Sequence, residues 1–367
     1  MFGRMGVALL LVVSSLIGCD DSDSPPAGDD PLVDSMVTDA GPSMDVGAPP
    51  DGATGDAAVS VDGTPDPDGA VVIDATLVPA LTMDPARSAE PERLSEEAVS
   101  AAVPLADNVV LAQVGEALHW LSHEDAVTLD GADGALRGAV NLGEETVVAT
   151  DTGLFAIRGA GLVASPLDAH LSAVWTVIGT DDETAWFLGD DGIRVWQSGR
   201  LHEFALDEAP DAWPGVMTAA GAYGGQDALW LAVDDMIYAL AFDAASPAAW
   251  VVEPGGTVGA MAATADGLWI TLDGDLAHLD TDDQWHLWTL PFAVAALSGH
   301  ADAPDVWMDT DQGLVQLRDG RARAVADVPM FTGMTTAHDG SAVLWGESGL
   351  HRVRPGRFVR LVGLEEG

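Results

Sequence analysis

From residue 98 onward the chain alternates short apolar runs with small or acidic turn residues, and one phrase recurs seven times: small residues, an apolar stretch often holding Trp, an acidic turn usually with Gly, and a second apolar stretch. Setting the register on the first apolar residue after the turn gives Leu118, Leu154, Ile193, Ile237, Leu276, Leu314 and Leu350. Seven positions before these anchors stand Leu111, Val147, Trp186, Trp230, Trp269, Trp307 and Val343, and three positions after them Leu121, Ile157, Trp196, Leu240, Leu279, Leu317 and Val353. Segments this short, punctuated by Gly and Asp, predict strands rather than helices, and the mean spacing of about 39 residues is the length of four antiparallel strands with their turns.

The pattern predicts an all-β fold, a seven-bladed β-propeller of four-stranded antiparallel blades at approximately 98–131, 132–168, 169–209, 210–255, 256–291, 292–329 and 330–364. Blades crowd at the axis, so the innermost strand should be made of small residues, as in Thr218-Ala-Ala-Gly-Ala222, Gly259-Ala-Met-Ala-Ala263, Ala293–Gly299 and Thr332–Ala337. Trp on the middle strands should fill the widening wedges between blades, and Leu201–Phe204, Trp285–Trp288 and Phe358–Leu361 should form the rim. Closing the wheel leaves no long edge exposed. Residues 87–97, with Glu90, Glu92, Glu96 and Glu97, read as a short lead-in, expected to be helical.

The N-terminal part has a different texture. An apolar run from Val7 to Ile17 is too short to span a bilayer and reads as the core of an export signal, residues 1–18. It ends in Leu16-Ile17-Gly18-Cys19, which resembles the lipobox of bacterial lipoprotein signal peptides. That resemblance implies lipidation of Cys19, whose thiol accepts the diacylglycerol, and stable anchoring by acyl chains. Residues 19–86 form the next segment; positions 20–86 hold fifteen Asp, ten Pro and no base. Such a composition cannot bury enough apolar surface to offset its ordering entropy, so the segment reads as a disordered tether, on the order of 45 Å end to end.

Composition narrows the function. Fourteen Arg, no Lys and 59 acids give a net charge of −45. A surface this negative repels phosphate backbones, so no nucleic-acid partner is expected. A single cysteine excludes a disulfide framework and a Cys-rich zinc site.

Thr184-Ala-Trp-Phe-Leu-Gly-Asp-Asp-Gly-Ile-Arg-Val-Trp196 and Asp305-Val-Trp-Met-Asp-Thr-Asp-Gln-Gly-Leu314 resemble the repeat of the two-component-regulator propellers, and the resemblance spans roughly 98–364. Gly267-Leu-Trp-Ile-Thr271 is also similar to streptogramin-lyase-like propellers, whose catalytic His and Glu constellation finds no counterpart here. Both resemblances imply a fold and not a chemistry.

The repeat places an acid in the turn between the second and third strands of every blade: Glu116, Asp151, Asp191, Asp235, Asp273, Asp311 and Glu347. Together they form a candidate acidic ring at one channel mouth, although Asp is also what tight hairpin turns use. His300 and His338 occupy similar places after the inner strands of repeats six and seven, whereas His119 and His123 read as rim residues. Arg321, Arg323, Arg352 and Arg354 form a candidate docking patch for an acidic partner, for the chain's own linker, or for a second copy. No GxSxG elbow, phosphate loop or HExxH motif is present, and neither cofactor nor metal is expected. The leading expectation is a lipid-anchored envelope protein, at the outer membrane, the outer leaflet of the inner membrane or the cell surface. Its wheel would be a non-enzymatic binding or assembly module for an envelope protein or glycan. The alternative is an envelope lyase or hydrolase using carboxylates at the channel mouth.

Overall fold

The computed structural model describes residues 79–356 apart from short breaks at 106–108, 123–124, 132–133, 172–173, 180–183, 191, 205–215, 224–225, 234–235, 243–247 and 253. The chain divides into residues 1–55 and 56–367, and every described strand belongs to the second unit. Cys19, the tether up to residue 78, Asp191, Asp235, His123 and the expected rim strand Phe358–Leu361 lie outside the described residues.

Seven sheets, each with four antiparallel strands, form the wheel. Blade 1 runs through Ala101–Leu105, Val109–Val114, Ala117–Leu121 and Ala126–Leu129, and blade 5 through Val258–Thr264, Gly267–Leu272, Asp275–Asp280 and Trp285–Trp288. In every blade the anchor residue pairs with the residue five positions before it, from Leu118 with Gln113 to Leu350 with Trp345. A one-residue slip would turn every side chain to the opposite face, so this common register keeps equivalent side chains facing the same neighbouring blade seven times. Gly153, Gly192, Gly313 and Gly349, each just before an anchor, take φ between +97° and +148°, which the tight turn requires and only glycine adopts readily.

The core lies between blades, not within them. Seven apolar clusters each join one blade to the next: Trp186 packs with Leu229 and Leu231, Trp230 with Met261 and Ile270, Trp269 with Val306 and Met308, and Trp307 with Ala342 and Leu344. The last cluster, with Val343 against Ala102 and Val110, closes the circle. Trp186 and Trp307 are fully buried. Indoles sit where the wedge is wide, and Val or Leu at the same place in blades 1, 2 and 7 does the job with less volume.

Two of the described strands precede blade 1, and they overturn the expected lead-in. β1 (Thr82–Ser88) adds a fifth, parallel strand to Arg321–Ala326 of blade 6, and β2 (Glu92–Ser95) pairs antiparallel with Gly349–Val353 as the outermost strand of blade 7. Residues 87–97 are therefore not helical, the tether gives way to ordered strand before residue 86, and the wheel begins before 98. Pro85 and Pro91 deny the segment helical hydrogen bonds, while the open edges of blades 6 and 7 offer it partners. At Gly349, a Cβ would stand 2.1 Å from the Ser95 carbonyl oxygen, so glycine is what lets β2 dock. Among the described residues no helix is long and apolar enough to cross a membrane.

Candidate functional site

The first strands of all seven blades enclose a central channel of about 560 Å³. Small residues such as Ala139, Gly179, Ala220, Ala262 and Thr335 line it, as the crowding at the axis requires. Because the strands alternate in direction, the connections between first and second strands all lie at one end, and the turns between second and third strands at the other.

At the first end, His300 and His338 lie in the connections that follow the inner strands of blades 6 and 7 (Val294–Ser298 and Gly333–Thr336), and both line the channel together with Asp302. The Asp302 carboxylate bridges the two blades, with Oδ2 at 2.7 Å from His338 Nδ1 and 3.5 Å from His300 Nδ1. The imidazoles meet edge to face with centroids 5.3 Å apart. The Asp302 amide donates to His300 Nδ1 at 3.2 Å, and just inside, the Ser298 and Thr336 hydroxyls share a hydrogen bond of 2.8 Å. Burial holds the His300 imidazole below its ordinary pKa; Asp302 works against that shift and His338 with it. The sequence offered the two histidines through their equivalent places in adjacent repeats. It gave no sign of Asp302, because only the lateral approach of two blades brings that carboxylate to His338.

The described acids of the expected ring lie at the opposite end and do not line the channel cavity. Asp151 Oδ1 accepts the amide of Ala135 at 2.8 Å, Asp273 Oδ1 that of Thr257 at 3.1 Å, and Asp311 Oδ1 that of Ala293 at 3.2 Å. In each of these blades the backbone amide of the same acid donates to the carbonyl of the same residue at 3.0 Å. Three of the turn acids thus pin the entry into the innermost strand of their own blade. Glu116 and Glu347 are exposed.

The arginine sector is tied to the N-terminal strands. Asp84 of β1, a residue of the expected tether, sits between Arg321 at 2.7 Å and Arg323 at 3.2 Å, and its side chain is only 9% exposed. Arg354 faces Glu92 of β2 at 3.5 Å, and Arg87 donates to the Arg354 carbonyl at 2.6 Å. Arg352, buried, pairs with Asp339 at 2.8 Å. Burial alone would raise the Asp339 pKa, but hydrogen bonds from Arg352 and Ser341 outweigh it and hold the carboxyl below its ordinary value. Behind them, buried Asp305 accepts from Arg318 and, at 2.7 Å, from Gln316 Nε2.

His119 Nδ1 shares a 3.4 Å contact with the Thr128 hydroxyl on the neighbouring strand of blade 1. On blade 5, His278 stacks on Trp269 with centroids 4.0 Å apart, and its Nε2 is held by the Asp266 carbonyl at 3.1 Å.

No known family profile matches the chain, and no curated protein matches it in sequence. Solved structures match the wheel. The extracellular domain of a protein described as a one component system from B. thetaiotaomicron aligns at 12% identity and a TM-score of 0.51, over 74% of this chain and 41% of that one. U3-55K aligns at 10% identity and a TM-score of 0.50, over 73% of this chain and 98% of that one. The chain thus spans about two fifths of the B. thetaiotaomicron extracellular domain and nearly the whole of the U3-55K chain, and at these identities the likeness is one of fold: a seven-bladed β-propeller.

Proposed function

We propose that the chain is an extracytoplasmic lipoprotein, anchored through Cys19 and held off the membrane by its acidic tether. In this reading its propeller is a non-enzymatic module that binds or assembles an envelope protein or glycan. The observation that carries the binding half is the open channel, with small residues and backbone along its wall and a polar rim of His300, Asp302 and His338 at one mouth. The address rests on the sole cysteine of the chain standing at the end of Leu16-Ile17-Gly18-Cys19. The fold shared with an extracellular domain accords with that address.

The rival reading, a lyase or hydrolase built on the turn acids, loses support because Asp151, Asp273 and Asp311 are engaged with backbone amides. Self-association through the arginines loses support likewise, since Asp84, Glu92 and Asp339 face them.

Growth with an alkyne-tagged palmitate tests the address: wild-type protein should carry the label and sediment with membranes, and Cys19→Ser should do neither. A labelled or membrane-bound Cys19→Ser protein would overturn it. Quantitative cross-linking mass spectrometry on intact cells tests the binding half, which predicts one defined envelope partner, whereas turnover of an envelope polymer lost on changing Glu116 or Glu347 would favour the enzyme.

A further inference from the structure

The rim of the channel brings together two imidazoles and a carboxylate from adjacent blades. One ring nitrogen of His300, one of His338 and a carboxylate oxygen of Asp302 lie within 4.8 Å of one another, the one such donor set among the described residues. We propose that these three residues bind a single divalent first-row transition-metal ion of the Zn2+ class at the mouth of the channel.

The donor chemistry points there. Imidazole nitrogen with one carboxylate oxygen suits Zn2+ and its neighbours, whereas Ca2+ and Mg2+ require an oxygen shell. The geometry is close to what an ion needs: donors each about 2.1 Å from a metal stand about 3.0 to 3.4 Å apart. The Asp302 oxygen is already 2.7 Å and 3.5 Å from the Nδ1 atoms of the two rings. The two ring nitrogens, within 4.8 Å of each other, must draw closer around an ion, and coordination through His300 Nδ1 gives up the 3.2 Å bond from the Asp302 amide.

The platform beneath is rigid, because the two inner strands are joined by the Ser298–Thr336 hydroxyl pair and each connection is closed by its own turn, His300 to Ala303 and Ala337 to Gly340. The next acid in sequence, Asp339, is engaged by Arg352 and stays out of the set. Three protein ligands leave at least one position open. All three line the channel, so that position faces a space of about 560 Å³ in which a water, carboxylate or hydroxyl oxygen of a ligand can complete the shell. His278 and His286 make no comparable site: Asp266 and Trp269 occupy His278, and His286 has the single carboxylate of Asp280 at 2.7 Å.

The inference is independent of the partner-binding reading, since the wheel can hold the ion with or without a partner. It is tested on the full chain, stripped with a chelator and titrated with Co2+ in excess Mg2+, which occupies the many carboxylates of the acidic surface. The expected result is one equivalent of Co2+ with visible d–d absorption, displaced by one equivalent of Zn2+. His338→Ala, His300→Ala and Asp302→Asn should each weaken binding by about 100-fold or more while the circular dichroism is unchanged. His338, with a side chain 62% exposed, is the substitution least able to disturb the fold. Absence of the absorption, or a stoichiometry and affinity indifferent to all three substitutions, would overturn the site.

Discussion

The single side chains that carry most weight are the indoles between blades and the polar groups buried beside them. Trp307 Nε1 donates to the Gly340 carbonyl of the next blade at 2.8 Å, whereas the equivalent Trp230 Nε1 has no acceptor among the described residues. Both Trp→Phe changes remove volume, but only the first strands a buried carbonyl, so Trp307→Phe should lose about 1–2 kcal/mol more than Trp230→Phe in urea denaturation. Equal losses would show that the bond contributes nothing net. His278 carries a pH dependence. Burial, reinforced by His286 and opposed by the Asp266 carbonyl, lowers its pKa to about 4. The unfolded chain therefore binds a proton there below about 6.5 that the folded wheel refuses down to about 4. Stability from this group is fully present above that window and falls as pH drops through it, by about 3 kcal/mol in all. Because protonating the many carboxylates changes stability at the same time, the diagnostic is the difference between wild type and His278→Gln across pH 6.5 to 4. A flat difference would contradict the assignment. The indole positions were legible in the sequence because packing recurs with the repeat. The partners of His278, Gln316 and Asp302 were not, because each contact joins residues whose nearness only the folded sheets create.

Among elements, the two N-terminal strands decide how the wheel is finished. Glu92–Ser95 supplies the outermost strand of blade 7, lying on its third strand, while Thr82–Ser88 covers blade 6, so the chain ahead of blade 1 completes the last two blades. Removing residues up to 78 should leave the thermal midpoint of the wheel unchanged. Removing residues up to 95 should lower it by many degrees and promote association through the bared edges, read by calorimetry and light scattering. Identical midpoints for the two truncations would mean that the strands are dispensable. The blades themselves were readable because short apolar runs between acidic and Gly turns recur at one spacing, and strands buried on both faces read as runs rather than alternations. The glutamates of the lead-in favour a helix, and what overrides that preference is the pairing offered by two distant edges. Asp84 shows the same limit: by composition it belonged to a solvated tether, yet it lies between Arg321 and Arg323.

At the scale of the molecule, seven similar wedges make the wheel a ring of interfaces, and function is left to what breaks the seven-fold equivalence. The turn acids obey the repeat and serve the turns. The arginines break it because blades 6 and 7 receive the N-terminal strands. His300, Asp302 and His338 break it at the channel mouth, away from the turns and the N-terminal strands, which is where the proposed binding face lies. The most direct measurement is site-specific photo-cross-linking in intact cells, with the reactive residue placed at Asn141, on the channel wall, and separately at Val163, on the outermost strand of blade 2, which is 48% exposed. Capture of one envelope partner from Asn141 and not from Val163 is the result expected of a module that binds at its channel. Capture from Val163 alone, or equal capture from both, would contradict it.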